Sequence, residues 1–389
     1  MGPVTFILLG GYGNTGSALV PLLLEHTSVS LVLAGRDGGK ARRAAEGWNA
    51  RFPGARCRGQ AADARDAASL RRAFEGADLV VVASSTSAAV ETVAQAALAS
   101  GLDYLDPNYS TRKLRLLREM APAIEAAGRC FITDGGFHPG LPALLIRFAA
   151  SRFDQLCSAR VGSVIQIDWR GLEFAPETVE ELVAEFRDFQ MLDYRGGAWR
   201  KPGWLAWFFP TWMTFGHGFG RRYTVPMFLE ELRPLPEMFP GLESAGFFVA
   251  GFNWFVDWFL MPVGMALLWL WPRRGAKPFG SMLLWGLRRF SRPPFGTLLQ
   301  LEALGTRDGK PLRLVVSLAH ADGYVMTAAP MAACLMQWMD GSVRRPGLHF
   351  QALLAEPGRM LRDLERMGIE VSVRETAGEP RTGASRRIM

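Results

Sequence analysis

Val4-Thr5-Phe6-Ile7-Leu8-Leu9-Gly10-Gly11-Tyr12-Gly13-Asn14-Thr15-Gly16 is a hydrophobic strand running straight into a glycine-rich turn, followed by an apolar helix from Ala18 to Leu24. This order reads as a dinucleotide-binding site. Gly11 is expected to give the tight turn, Gly13 to let the backbone approach a pyrophosphate, and Gly16 to let helix and strand pack closely. The helix N-terminus then points its free N–H groups and positive dipole end at the phosphates. Tyr12, Asn14 and Thr15 complete the predicted cradle. A second strand, Ser30 to Ala34, ends in Gly35-Arg36-Asp37, where this arrangement places its ribose reader. A carboxylate there would bind the ribose hydroxyl of NAD, and a guanidinium the 2′-phosphate of NADP. Arg36 therefore selects NADP, reinforced by Lys40, Arg42 and Arg43, while Asp37 keeps NAD as the alternative. The plainer role for these cations is to solvate the next helix.

With 389 residues, 49% of them hydrophobic and 21% charged, the chain can bury a large core and should form two domains. Cys57, Cys130, Cys157 and Cys334 have no C-x-x-C spacing, so neither a metal site nor a disulfide framework is expected, and a reducing cytoplasmic setting follows. The opening apolar run is short and lacks a basic lead, unlike a signal peptide. A net charge of +7 is modest for this length and calls for no nucleic-acid partner.

Strand and helix patterns then alternate as a doubly wound parallel sheet requires, over 1–142. Ligands bind at the carboxyl edge of such a sheet. The loops predicted there are Ser84-Ser85-Thr86-Ser87, Pro107-Asn108-Tyr109-Ser110 and Asp134-Gly135-Gly136-Phe137-His138-Pro139-Gly140-Leu141-Pro142. Ser84, Ser85 and Gly136 join the predicted cofactor site. Hydride transfer needs from the protein geometry and at most one proton donor. His138 is the first candidate donor, with a loop histidine satisfied by backbone as its bland reading. Tyr109 and Asp106 are candidates to hydrogen-bond substrate or cofactor, ahead of His217 and Tyr324.

In the order Gly10–Gly16, Ala34-Gly35-Arg36, Val81-Val82-Ala83-Ser84, Tyr104-Leu105-Asp106 and Gly136-Phe137-His138-Pro139-Gly140, the chain resembles the saccharopine dehydrogenase (saccharopine reductase-like) NAD(P)-binding family. The resemblance covers about residues 1 to 150 and resumes faintly at His320–Ala328. It implies an oxidoreductase whose Rossmann domain is paired with an α+β domain holding substrate against the nicotinamide. In the family's best-known members that substrate is a dicarboxylate amino acid in a polar, cationic pocket.

The second domain departs from that pattern. Nine of the twelve tryptophans lie between Trp199 and Trp285, and from Gly246 to Trp271 the only charge is Asp257. Asp257 and Pro262 argue against a clean membrane span. From Trp258 to Leu301 there is no acidic residue, while Arg273, Arg274, Lys277, Arg288, Arg289 and Arg292 flank apolar stretches. That is the composition of a segment lying in an anionic membrane interface. A tryptophan-lined homodimer interface is the alternative.

The sequence thus predicts an α/β chain. It has a Rossmann domain over 1–142, an α+β domain over 143–322 with an antiparallel sheet and the apolar basic segment 246–292, C-terminal helices over 323–375 returning to the Rossmann domain, and a disordered tail over 376–389. The function read from it is reduction of an apolar or lipid-like substrate by NADP(H), in the cytoplasm and at the inner face of a membrane. A non-catalytic cofactor-binding protein and a soluble reductase of an amino-acid-derived substrate are the alternatives.

Overall fold

The computed structural model describes residues 4–84, 89–171, 190–203, 211–271 and 275–378. Ser85, residues 173–188, Arg273, Arg274 and the tail beyond Gly378 lie outside the described residues.

The first sheet is built from β1 (Thr5–Leu9), β2 (Ser30–Gly35), β3 (Cys57–Ala61), β4 (Leu79–Val82), β5 (Asp103–Leu105) and β6 (Cys130–Thr133). The helices between them are α1 (Asn14–His26), α2 (Gly38–Arg51), α3 (Ala67–Phe74), α4 (Val90–Ala99) and α5 (Thr111–Ala126), and α6 (Pro142–Ala150) follows β6. All these strands pair in parallel in the order β6-β5-β4-β1-β2-β3. β1 and β4 are apolar at successive positions because both faces of a parallel sheet are covered. The order reverses beside β1, so the cradle after β1 and the loop after β4 meet at the switch point where such sheets bind ligands.

The second sheet contains β7 (Gln155–Gln166), the short pair β8 (Asp193–Arg195) and β9 (Ala198–Arg200), β10 (Thr211–Phe215), β11 (Gly220–Met227), β12 (Ser244–Ala250), β13 (Gly296–Arg307) and β14 (Lys310–His320). Two of its long strands form a hairpin: β13 and β14 pair from Thr297↔His320 to Arg307↔Lys310, and Asp308 and Gly309, both at positive φ, make the turn. The sheet is mixed rather than purely antiparallel, since β12 runs parallel to β7, with Phe247 opposite Val161 and Val249 opposite Ser163. The long connection between them leaves room for the crossover that a parallel pair needs.

The C-terminal segment returns to both sheets. Helix α9 (Gly323–Met339) packs on α1, and β15 (Gly347–Phe350) extends the first sheet beside β6. After α10 (Pro357–Arg366), β16 (Glu370–Ala377) pairs with β14, so Thr376 and Ala377 are strand rather than disordered tail. The main core is accordingly continuous across both sheets: Phe6 and Leu8 of β1, Leu145 of α6, Val161 of β7, Phe247 of β12 and Ala329 of α9 belong to one buried cluster.

The apolar basic segment forms a helical hairpin of one π-turn (Val256–Leu260), α7 (Met261–Leu270) and α8 (Ala276–Phe290). Two glycines bring the helices together. A Cβ on Gly264 would sit 2.0 Å from the Phe279 ring, and one on Gly286 would sit 2.5 Å from Leu260. Pro262 follows the π-turn directly, inside a helical run that is unbroken from residue 254 to 270, so its missing N–H falls within that run. Asp257 turns inward: Oδ1 accepts the Phe252 amide at 2.9 Å, and the Tyr223 hydroxyl bonds the same carboxylate. Among the described residues no helix is long and apolar enough to cross a membrane.

Candidate functional site

The glycine turn has the geometry of a phosphate cradle, with its roles redistributed by one residue. Gly10, not Gly11, carries the left-handed backbone (φ 85°) that makes the turn tight. A Cβ on Gly10 would also lie 2.5 Å from Ser84, which places Ser84 of the neighbouring loop directly against the turn. Gly11 is held close to β2, since its Cβ would lie 3.1 Å from the Leu33 Cα. Gly16 performs its predicted role, because a Cβ there would lie 2.3 Å from the Gly10 carbonyl oxygen. At Gly13 a Cβ would touch only the Gly10 oxygen, at 3.2 Å, leaving its outer side open.

Among the described residues no side chain caps the helix terminus behind this turn. Helices α2, α3, α5, α9 and α10 are capped by side chains of Asp37, Asp66, Ser110, Asp322 and Glu356, whereas Gly13 at the N-cap of α1 offers none. The first amides of α1 and the dipole end are thus available to an anion of pyrophosphate size, which is the chemistry a dinucleotide brings.

Arg36 and Asp37 are separated by what each already does. The Asp37 carboxylate accepts the Lys40 amide at 2.9 Å as the N-cap of α2, and that bond holds its carboxyl below the usual range. Arg36 is exposed beside it. Tyr12 closes the floor between cradle and ribose reader: its ring lies over Gly35, where a Cβ would be 2.5 Å from the hydroxyl, and that hydroxyl accepts the Asp37 amide at 3.1 Å. On the far side of the cradle the exposed Asn14 donates from Nδ2 to the Tyr324 hydroxyl at 2.9 Å, tying the turn to the start of α9. Thr15 is half-buried in the first turn of α1. Tyr324, a weak candidate in the sequence, is therefore part of the cradle's wall.

Asp106 is not available to substrate. It is fully buried, and its carboxylate takes Lys113 Nζ at 2.5 Å, the Thr133 hydroxyl at 3.0 Å and the Asn108 amide at 3.0 Å. Lys113 Nζ also bonds Asp134 at 2.8 Å and the Asn108 carbonyl. Burial opposes the Lys113 charge, yet attraction to Asp106 and Asp134 raises its pKa overall, so the lysine stays protonated. This buried ion triad pins the 106–110 and 134–140 loops together. The sequence shows Lys113 only as a helix residue, and nothing in its spacing marks it as buried.

Tyr109 reaches the second domain, where its hydroxyl donates to the Phe228 carbonyl at 3.4 Å. Gly136 is packed rather than open, with Pro107 and Thr327 beside the position a Cβ would take. Glu231, missed in the sequence, is fully buried and accepts the Gly140 and Ala143 amides at 2.7 and 3.1 Å, fixing the end of the same loop and the start of α6. Burial pushes its carboxyl up to about 8.

His138 sits between these clamps. Its ring stacks obliquely on Phe137 (4.2 Å between centroids) and on Phe247 of β12 (5.3 Å), and its Nε2 is enclosed without a hydrogen-bond partner among the described residues. Burial lowers its pKa to about 4, so at neutral pH the ring is uncharged. His217 lies elsewhere, 3.6 Å from Glu370. Among the described residues no His, Cys, Asp and Glu cluster could hold a metal.

Residues 6–129 match the family model of the saccharopine dehydrogenase NADP binding domain. No curated protein matches the chain in sequence. Among solved structures, apo saccharopine dehydrogenase (L-Glu forming) from Saccharomyces cerevisiae superposes with a TM-score of 0.70 at 14% identity, covering 96% of this chain and 100% of that one. The C. glutamicum DAP dehydrogenase in complex with DAP aligns more loosely, with a TM-score of 0.47 at 14% identity over 94% of this chain and 99% of that one. The glycine turn and the sheet that carries it thus lie in a stretch that matches the saccharopine dehydrogenase NADP binding domain, and the chain shares the fold of that enzyme.

Proposed function

We propose that the protein is an NADPH-dependent reductase acting on an apolar, lipid-like substrate that it meets at an anionic membrane surface, on the cytoplasmic side. The cofactor, when bound, supplies the hydride. The α1 N-terminus would hold its pyrophosphate, Arg36 its 2′-phosphate, and Asn14 with Tyr324 would close the cradle towards the second domain.

The observation that carries the membrane reading is the outer face of the helical hairpin. Trp254, Trp258, Phe259, Val263, Leu270, Trp271 and Trp285 are each 54–58% exposed. Helix α7 is apolar around its whole circumference, a pattern that belongs inside a core or against lipid. Exposed apolar surface of this kind marks an interaction site. Trp254, Phe255, Phe259, Trp285 and Phe290 form one set of ring contacts, with centroids 4.3–5.9 Å apart. Lys277, Arg288, Arg289 and Arg292 are exposed around it, in a stretch without a single acidic residue. Tryptophan at the headgroup level and hydrated arginine beside it gain from the same geometry.

The test is sedimentation with vesicles. Binding to vesicles containing phosphatidylserine should be strong at low salt, fall as salt is raised, and drop on replacing Arg288, Arg289 and Arg292 with Gln. A chain that ignores such vesicles and elutes as a dimer would move the hairpin to a protein interface and remove the support for a lipid-like substrate.

A further inference from the structure

On the face of the second sheet that meets the Rossmann domain, polar atoms are enclosed without partners. β7 presents Val161, Ser163 and Ile165 to this face, β12 presents Phe247 and Val249 opposite the first two, and β13 presents Leu299 opposite Ser163 and Thr297 opposite Ile165. Ser163 and Thr297 are thus diagonal neighbours on one face, 2% and 1% exposed, and neither hydroxyl has a hydrogen-bond partner among the described residues. His138, whose Nε2 is the third such atom, lies on the ring of Phe247 in the same row. Thr297 Oγ1 also lies 3.3 Å from where a Gly323 Cβ would be, one residue before the Tyr324 that bonds Asn14 of the cradle. The row therefore runs from the cofactor cradle to His138.

Native proteins rarely leave buried hydroxyls unpaired, because each has lost its water for nothing. Such groups set in an apolar face are the pattern of a small-molecule site, in which few polar atoms orient a largely apolar ligand. The charge on this face is equally informative. The positions that flank Ser163 and Thr297 on this face, Val161, Ile165, Phe247, Val249 and Leu299, are apolar, the charged strand residues Arg221, Arg307, Lys310 and Glu375 stand towards its ends, and the nearby Asp106, Lys113 and Asp134 satisfy one another. A carboxylate brought here would lose its hydration without a cation to replace it.

We infer that Ser163, Thr297 and His138 form the head-group site of this enzyme and that they take an uncharged carbonyl oxygen on an apolar body, not an amino-acid carboxylate. The inference rests on the reductase reading above and narrows its substrate class. The two hydroxyls donate to the carbonyl oxygen, and the neutral imidazole supplies the remaining polar contact.

The experiment uses the full chain with and without NADPH, with 2-undecanone, decanoate and L-glutamate as probes in calorimetric titration. The ketone should bind at least tenfold more tightly than either anion. Ser163→Ala and Thr297→Val should each weaken ketone binding by about 3- to 10-fold, the range of a neutral hydrogen bond. NADPH affinity, followed separately by its fluorescence, should stay within twofold in both variants. Because neither hydroxyl is bonded in the free protein, neither substitution should lower the thermal midpoint, which separates lost contact from lost fold. Decanoate or L-glutamate binding as tightly as the ketone would overturn the inference, as would ketone binding indifferent to both substitutions. Failure of NADPH to bind would strike the reductase reading alone, since ketone binding and its dependence on Ser163 and Thr297 are read equally in cofactor-free protein.

Discussion

Replacing Lys113 with Met removes the centre of the buried ion triad while keeping its volume. Lys113 and Asp106 are at most 1% exposed and Asp134 is 5% exposed, so the two carboxylates left behind face each other with neither water nor cation. Removing one partner of a buried ion pair costs about 3–5 kcal/mol. With a urea slope of roughly 3 kcal/mol per M for a chain of this size, the unfolding midpoint should drop by about 1–1.7 M. The effect should grow with pH. Burial already raises the Asp134 carboxyl, and losing the lysine raises it further. A carboxyl whose folded pKa lies above its unfolded value contributes stability at acid pH that is lost as pH climbs through the folded value. The gap between variant and wild type, measured by urea titration of far-ultraviolet circular dichroism, should therefore be small at pH 5 and largest at pH 8. Asp134→Asn on the Lys113→Met background should recover part of it. A shift below about 0.3 M at pH 8, or a gap that widens towards acid, would refute the assignment of the triad as the clamp between the 106–110 and 134–140 loops.

Arg36→Ala should weaken NADPH binding by roughly 10- to 150-fold, as loss of a charged hydrogen bond to phosphate implies, and leave NADH unchanged; equal wild-type affinities for the two would remove Arg36 as the ribose reader. Gly13→Val should abolish cofactor binding while circular dichroism reports a folded chain, because the new side chain has space on the outer side of the turn and fills the cradle there. Asp257 of the hairpin's π-turn is raised to about 7 by its burial beside Tyr223 of β11. Its contribution to holding the hairpin on the sheet is therefore complete at acid pH and is lost as pH rises through about 7, so hydrogen-exchange protection factors over 253–271, which remove the intrinsic pH dependence of amide exchange, should be lower at pH 8 than at pH 6, and Asp257→Asn should erase the difference.

Most strands of residues 4–150 were legible because each signal was local, whereas β3, Cys57-Arg58-Gly59-Gln60-Ala61, has no apolar run to mark it. Phe6–Leu9 and Leu79–Val82 are unbroken apolar runs that only a covered parallel strand tolerates, and Asp308-Gly309 is a turn by its own backbone preference. The parallel pairing of β12 with β7 was not legible, since register between strands far apart in sequence leaves no local trace. The same limit governs the site. The cradle is contiguous and was read from its glycines, although Gly10 rather than Gly11 makes the left-handed turn. Ser163, Thr297, Glu231 and Lys113 matter through what surrounds them in space, and as letters in an apolar strand or an amphipathic helix they carry no signal. Asp106 misled for the same reason: its loop position resembled that of a ligand-binding carboxylate, and only the fold reveals the lysine that occupies it.

The return of the C-terminal segment to both sheets bears on the order in which the molecule can be made. β15 completes the first sheet by laying Gly347 beside Cys130, and β16 covers β14 only at residues 370–377. On the ribosome the nucleotide-binding half is finished in sequence long before it can be finished in structure. Until β15 emerges, the edge of β6 stands open, with the unpaired backbone groups that invite another chain. Loss of the last few dozen residues would thus strip a strand from each sheet, and a short deletion far from the glycine turn would leave the cofactor domain without its border.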